Sequence, residues 1–222
     1  MEMDNSKLFH AVRSAALAVD NKGIIEESEN ICFYKDYIAA YNGEVLVKVY
    51  LKTEISGSVN AKEITGFLSK MGDKKLKIEI VDKNILKISS GRTIARFKLD
   101  EEKFPGEIPR LKWASLPSNF CEGVKFCKDS VPDYAVVPEL SQLHVGDDKL
   151  TSCDNIRAAQ WLLSEKVKDK FSISKTACNI ICQFDIVKYC KIENRIYFED
   201  SEGTLIVCSS PASPYPIKKI ES

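Results

Sequence analysis

Apolar residues recur at helical spacing near the start of the chain. Leu8, Val12, Ala15 and Val19 fall at i, i+4, i+7 and i+11, one face of an amphipathic helix. The same spacing returns 112 residues later at Phe120, Val124, Cys127 and Val131. Each helix is followed by strand, polar turn and strand: ENICFYKDYIAAYN (29–42) and SQLHVGDDKLTSCD (141–154). At the 112-residue offset Ile31 meets Leu143, Phe33 meets Val145, Ile38 meets Leu150 and Asn42 meets Asp154. A second helix comes next in each half. SVNAKEITGFLSKMG (58–72) places Asn60 and Glu63 as a capping box and turns Ile64, Phe67, Leu68 and Met71 to the core. Its counterpart, SISKTACNIICQF (172–184), starts at Ser174 and buries Cys178, Ile181 and Cys182.

The third pattern is a hairpin. KNILKISSGRTIARF (83–97) alternates around a Ser90-Gly91 turn, with Ile94 and Phe97 resuming the apolar side. It returns as ENRIYFEDSEGTLIVC (193–208), with Asn84 matching Asn194 and Gly91 matching Gly203. An aromatic-Pro pair closes each half, Phe104-Pro105 and Tyr215-Pro216. The chain is therefore a tandem duplication of an α+β unit with two helices and six to eight short strands. The expected domains are 1–107 and 108–222. Between them GEIPRLKWASLP (106–117) carries prolines that stop a strand or helix from running through.

Bulk charge adds little, since 32 basic residues balance 32 acidic ones. Eight cysteines lie scattered in apolar patterns without a C-x-x-C pair, and His10 and His144 are the two histidines. That spacing favours buried thiols in a reducing compartment over a structural zinc site, so neither metal nor cofactor is expected. The first twelve residues contain no signal-like apolar run, and no stretch reaches the roughly 18 apolar residues of a membrane span. A cytoplasmic protein, of a bacterial or phage-infected cell, is the expectation. Neither histidine adjoins a nucleophile motif, and no glycine-rich phosphate loop follows a strand. Gly146-Asp147-Asp148 reads as a hairpin turn in place of a Mg²⁺ site. An enzyme is not indicated.

The order helix, hairpin, helix, then KLKIEIVDKNILKISSGR and a terminal aromatic-Pro, resembles one domain of the bacterial DNA polymerase sliding clamp, the beta subunit. SCDNIRAA (152–159) is similar to the T-D-G-x-R-x-A segment of the clamp's middle domain. Cys153 and Asn155 depart from that motif, and Arg157 stands at its arginine. The resemblance implies a non-catalytic processivity factor: a ring that encircles duplex DNA without reading sequence and tethers a replicative polymerase. It also implies an ATP-driven clamp loader as partner and a homo-oligomer. Family members close six domains from two three-domain chains; two domains per chain would require a trimer, unless a third domain belongs to the protein.

In the clamp fold two helices per domain line the hole, so their solvent faces become the candidate DNA surface. Those faces carry Lys7, His10, Arg13 and Ser14; Lys62, Ser69 and Lys70; Lys125; and Lys175, Thr176, Asn179 and Gln183. Lys22, Lys74 and Lys75 in adjoining loops extend the set. The helical stretches hold seven Lys or Arg and three acids (Glu63, Glu122, Asp129), a net of +4 in a neutral chain, so charge segregates in the direction DNA requires. Arg92 and Arg96 read as solvated strand residues, Trp113 as packing between the domains, and Trp161 as an edge plug or partner contact. The second functional reading is a clamp-fold scaffold that does not encircle DNA.

Overall fold

The computed structural model describes residues 1–20, 26–101, 108–133, 138–154, 156–210 and 215–220. Lys22, the Phe104-Pro105 pair and Asn155 lie outside the described residues. Two compact units, Met1–Ile108 and Pro109–Ser222, divide the chain.

The first unit runs β1 (Glu2–Asp4), α1 (Asn5–Ala16), β2 (Asn30–Tyr34), β3 (Tyr37–Tyr41), β4 (Val45–Tyr50), β5 (Gly57–Asn60), α2 (Ala61–Leu68), β6 (Lys75–Val81), β7 (Ile85–Ser90) and β8 (Thr93–Lys98). The second repeats it as β9 (Ala114–Ser115), α3 (Phe120–Cys127), β10 (Gln142–Val145), β11 (Lys149–Cys153), β12 (Ala158–Leu162), β13 (Phe171–Ser174), α4 (Lys175–Ile181), β14 (Ile186–Ile192), β15 (Arg195–Asp200) and β16 (Leu205–Ser209), with a short α5 (Ile217–Ile220) after it. Within the first unit β1-β6-β7-β8 and β5-β2-β3-β4 form antiparallel arrays. Within the second, β9-β14-β15-β16 and β13-β10-β11-β12 do the same. Each unit is thus two β-α-β-β-β halves that exchange their first strand, and neither half completes its sheet alone.

The predicted apolar faces form the cores. Leu8, Val12, Ala15, Ile31, Phe33, Ile38, Ile64 and Leu68 are fully buried in the first unit. Phe120, Val124, Cys127, Leu143, Val145, Leu150, Cys178 and Ile181 are fully buried in the second. The duplication extends to individual hydrogen bonds. Asn42 Oδ1 accepts from the backbone N–H groups of Glu44 and Val45 at 3.1 and 2.8 Å. Asp154 Oδ1 accepts from those of Ile156 and Arg157 at 3.1 and 2.9 Å. Such Asx turns position the strand that follows. Likewise the Asn84 and Asn194 carbonyls each accept at 2.7 Å, from Leu99 N–H and Ser210 N–H.

Helix ends follow local chemistry. Asn60 accepts from Glu63 N–H at 3.2 Å and Ser174 from Ala177 N–H at 3.1 Å, so both second helices carry side-chain N-caps. Buried Asn5 donates through Nδ2 to the Leu68 and Gly72 carbonyls at 3.1 and 2.7 Å, satisfying groups at the end of α2.

Several expectations are corrected. The first helix of each unit is shorter than the apolar spacing suggests, because i→i−3 bonds such as Leu17 N–H to Ser14 O tighten its last turn. Val19 and Val131 therefore lie beyond the helices, although Val131 remains buried. Phe67 and Cys182 are only half-buried. Ser90 belongs to β7 and pairs with Thr93, which leaves Gly91-Arg92 as the turn, with Gly91 at φ +57°. Ile94 and Phe97 stand three residues apart, and in a strand of period two they point to opposite faces; Ile94 is 52% exposed and Phe97 5%. Between its prolines, the segment expected to be a bare linker supplies β9, which pairs with β14 through Ser115↔Lys188 and Ala114↔Tyr189. Trp113 lies under Lys188 Nζ, 5.1 Å from its ring centroid. Trp161 packs on α3, with Phe126 5.4 Å away between ring centroids and Gly123 directly beneath it.

Candidate nucleic-acid interface

Lys7, His10 and Arg13 occupy one stripe of α1 at i, i+3 and i+6, and all three are exposed. Ser14, expected on the same face and one i+7 step from Lys7, is instead buried at 8% exposure and so drops out of the candidate surface. Lys62 is exposed in the first turn of α2, and Lys70 and Lys74 are exposed in the segment after it. Lys7, Arg13, Lys62, Lys70 and Lys74 have no carboxylate partner among the described residues. Their charge is free to act on an outside anion.

The second unit is less basic. Lys125 is exposed on α3 and unpaired among the described residues, but Glu122 is exposed one turn away. Lys175 binds Asp133 at 3.2 Å, and Lys128 binds Asp129 at 2.9 Å. Asn179 is exposed on α4 as a neutral polar group. Sequence counting gave each lysine equal weight, whereas the ion pairs leave most of the uncompensated charge on the first unit. Asp129 was already counted in the sequence, whereas Asp133 lies 42 positions before Lys175 and outside the helices, so helical periodicity carried no sign of it.

The SCDNIRAA segment is a structural clamp. Asp154 Oδ2 accepts from Arg157 Nε at 2.8 Å, and Arg157 Nη2 donates to the Asp129 carbonyl at 3.0 Å. The guanidinium and two backbone N–H groups hold the Asp154 carboxyl at about 2, below its ordinary 3.8. A carboxylate whose folded-state value is depressed adds stability above its unfolded value and loses it as pH falls through the folded one. Asp154→Asn keeps the Asx turn, as Asn42 does, but loses the charge. The wild type should therefore exceed Asp154→Asn in urea midpoint above about pH 4, with the gap closing toward about pH 2. A pH-independent gap would refute the assignment.

All eight cysteines are free thiols. Burial pushes Cys127 and Cys182 up to about 11 and Cys178 well above its ordinary value, which disfavours thiolate chemistry at neutral pH. Among the described residues no group of three or more His, Cys, Asp or Glu could hold a metal ion. Asp147 of the Gly146-Asp147-Asp148 turn pairs with Lys170 at 3.0 Å. No helix among the described residues is long and apolar enough to cross a membrane.

This arrangement of paired β-α-β-β-β halves superposes on solved structures over nearly the whole chain. A protein of Eubacterium rectale ATCC 33656 assigned as a DNA polymerase III beta subunit matches with TM-score 0.85 at 16% identity, over 100% of this chain and 67% of its own. The DNA polymerase sliding clamp of Bacillus subtilis matches at 0.78 and 12%, over 97% and 65%. The chain has the sliding-clamp fold. A Helicobacter pylori beta clamp bound to a DNA ligase peptide matches at 0.78 and 16%, over 99% and 69%. The present chain spans about two thirds of the length of these clamps. No family model matches it, and no curated protein matches it in sequence. Sequence identity is thus very low while backbone geometry is retained, because a clamp unit is specified by which positions are apolar more than by which apolar residue fills them.

Proposed function

We propose that the chain is a DNA clamp, a processivity factor whose units join into a ring around duplex DNA and tether a replicative polymerase placed there by a loader. The observation that carries this reading is the clamp fold itself, made twice along one chain. The exposed, uncompensated cations on α1, on α2 and in the segment after α2 support it, because a sliding protein needs phosphate-directed charge without base-edge readers. The mechanism is topological. Ring closure turns weak, salt-sensitive contacts into a long-lived association, and the tether raises the local concentration of polymerase at the primer end. No catalytic step is assigned to the clamp.

Ring closure needs edges. β8 is an edge strand of the first unit with Ile94 exposed, and β12 is an edge strand of the second with Leu162 73% exposed. Unpaired edges with apolar side chains invite strand addition, which we infer joins copies head to tail. Sedimentation should give a discrete oligomer: three copies if two units complete the protein, two if a third unit follows. Leu162→Lys should reduce it to single chains. Loaded protein should stay on nicked circular DNA and leave after linearisation. A monomer at micromolar concentration that leaves both DNAs equally would instead favour a scaffold that does not encircle DNA.

A further inference from the structure

The β2-β3-β4 array of the first unit has two faces of different character. One carries Ile38, Val47 and Val49 into the core beneath α1. The other carries Tyr34, Tyr37, Lys48 and Tyr50, which form a continuous cluster across three strands. Tyr34 and Tyr37 stack at 4.5 Å between centroids and 22° between planes. Lys48 Nζ lies 3.8 Å from the Tyr37 ring centroid and 4.8 Å from that of Tyr50. Tyr50 is 60% exposed, while Lys48 and Tyr37 are half-buried.

The fold does not require this cluster. Strand register in the second unit repeats that of the first at the 112-residue offset: Tyr37↔Tyr50 becomes Lys149↔Leu162, and Ala39↔Lys48 becomes Thr151↔Gln160. At the four equivalent positions the second unit has Gly146, Lys149, Gln160 and Leu162. The same scaffold is therefore built without one ring of the cluster or its central cation.

Lys48 also differs from half-buried lysines that are ion-paired. Lys87, Lys175 and Lys188 each meet a carboxylate, Glu79, Asp133 and Glu199. Lys48 has ring faces alone among the described residues, and burial holds its ammonium below its ordinary value. A half-buried cation that faces rings and no carboxylate among the described residues is complementary to an incoming carboxylate, which would favour its charged form. Tyrosines supply large contact area at small entropy cost, the composition that dominates binding hot spots. A phosphate backbone fits less well, because the exposed cations at this end of the strands, Lys35 and Lys52, are matched by exposed Asp36 and Glu54 in the same two segments.

We propose that the Tyr34–Tyr37–Lys48–Tyr50 face binds an acidic peptide segment of a partner protein, with a carboxylate on Lys48 and an apolar side chain against Tyr50. The site lies across the sheet from α1, so it operates whether or not the helices face DNA.

The probe is a pool of fluorescein-labelled decapeptides built from Glu, Asp, Leu, Pro and Phe, and the control pool has Gln and Asn for the acids. Anisotropy should rise when the acidic pool is titrated with the full chain and stay flat with the amide pool. Lys48→Glu and Tyr50→Ala should each weaken binding about tenfold or more, Lys48→Arg should retain it, and Gln160→Glu in the second unit should change nothing. Tyr50 is exposed, so its truncation should leave the melting curve in place; if it does not, Lys48→Gln carries the same test. Failure of the acidic pool to bind, equal binding of the amide pool, or indifference to Lys48→Glu overturns the proposal. Binding of a fluorescein-labelled oligo-dT that Lys48→Glu abolishes, without acidic-pool binding, assigns the face to single-stranded nucleic acid. A change of sedimentation mass in Tyr50→Ala assigns it to contact between copies; either result also overturns the proposal.

Discussion

Gly123→Ala is expected to lower the stability of the second unit by about 1–3 kcal/mol, although alanine is the better helix former. On propensity alone the change should gain about 1 kcal/mol in the middle of α3. Packing reverses the sign. A Cβ at Gly123 would lie 2.5 Å from Trp161 Cδ1 and 2.7 Å from Leu150 Cδ1, where carbon atoms settle near 3.5–4.0 Å. Phe126 flanks Trp161 at 5.4 Å between ring centroids, so movement of the indole would also disturb that ring contact. The equivalent position in the first unit is Ala11, and there the strand residue is Val49 in place of Trp161. At this one helix–sheet contact the helix residue is smaller, Gly123 against Ala11, where the strand residue is larger, Trp161 against Val49. Gly66→Ala is the control. Gly66 sits in α2, and the methyl group of an alanine there would have nothing within 4 Å, so that change should stabilise by up to about 1 kcal/mol. Urea midpoints of the two variants should therefore move in opposite directions. A stabilised Gly123→Ala would mean that Trp161 is not held against α3.

Reversing Arg13, Lys62 and Lys70 together to Glu is expected to weaken non-specific duplex binding by about a thousandfold at about 50 mM salt. It should also flatten the dependence of log K on log salt by about three. The estimate follows from losing three phosphate contacts at about 0.9 counterion each. These side chains are exposed and have no carboxylate partner among the described residues, so stability should stay within about 0.5 kcal/mol. Lys175→Gln should have a much smaller effect on binding, because Asp133 already compensates that charge. The readout is fluorescence anisotropy of a random-sequence duplex over a salt series. An unchanged slope in the triple variant would remove these helix surfaces from DNA contact.

Much of the fold was legible in the pattern of apolar positions. Burial behind Leu8 and Phe120 is a property of spacing, and spacing survives duplication even where the residues do not. The turns at Asn42 and Asp154 were readable for the same reason: an Asx side chain caps its own turn, so the signal and the structure lie within three residues. Strand β1 was not legible, because three residues, Glu2–Asp4, carry no periodicity and are held by pairing with β6, more than seventy positions away. β9 was hidden between prolines and exists through β14.

For the candidate site, sequence located the exposed lysines and arginine but not their partners. The chain by itself determined that there are two copies of one α+β unit, where their helices and core faces lie, and that its basic and acidic residues balance. Those features are local, set by side-chain periodicity and turn chemistry. Only the tertiary structure decided which strand each half lends to the other, that Asp133 neutralises Lys175 while Lys7, Arg13, Lys62, Lys70 and Lys74 meet no carboxylate among the described residues, and that Lys48 lies against two tyrosine rings. Each of these depends on groups meeting across space, where desolvation and Coulomb energy act on distance and not on sequence separation.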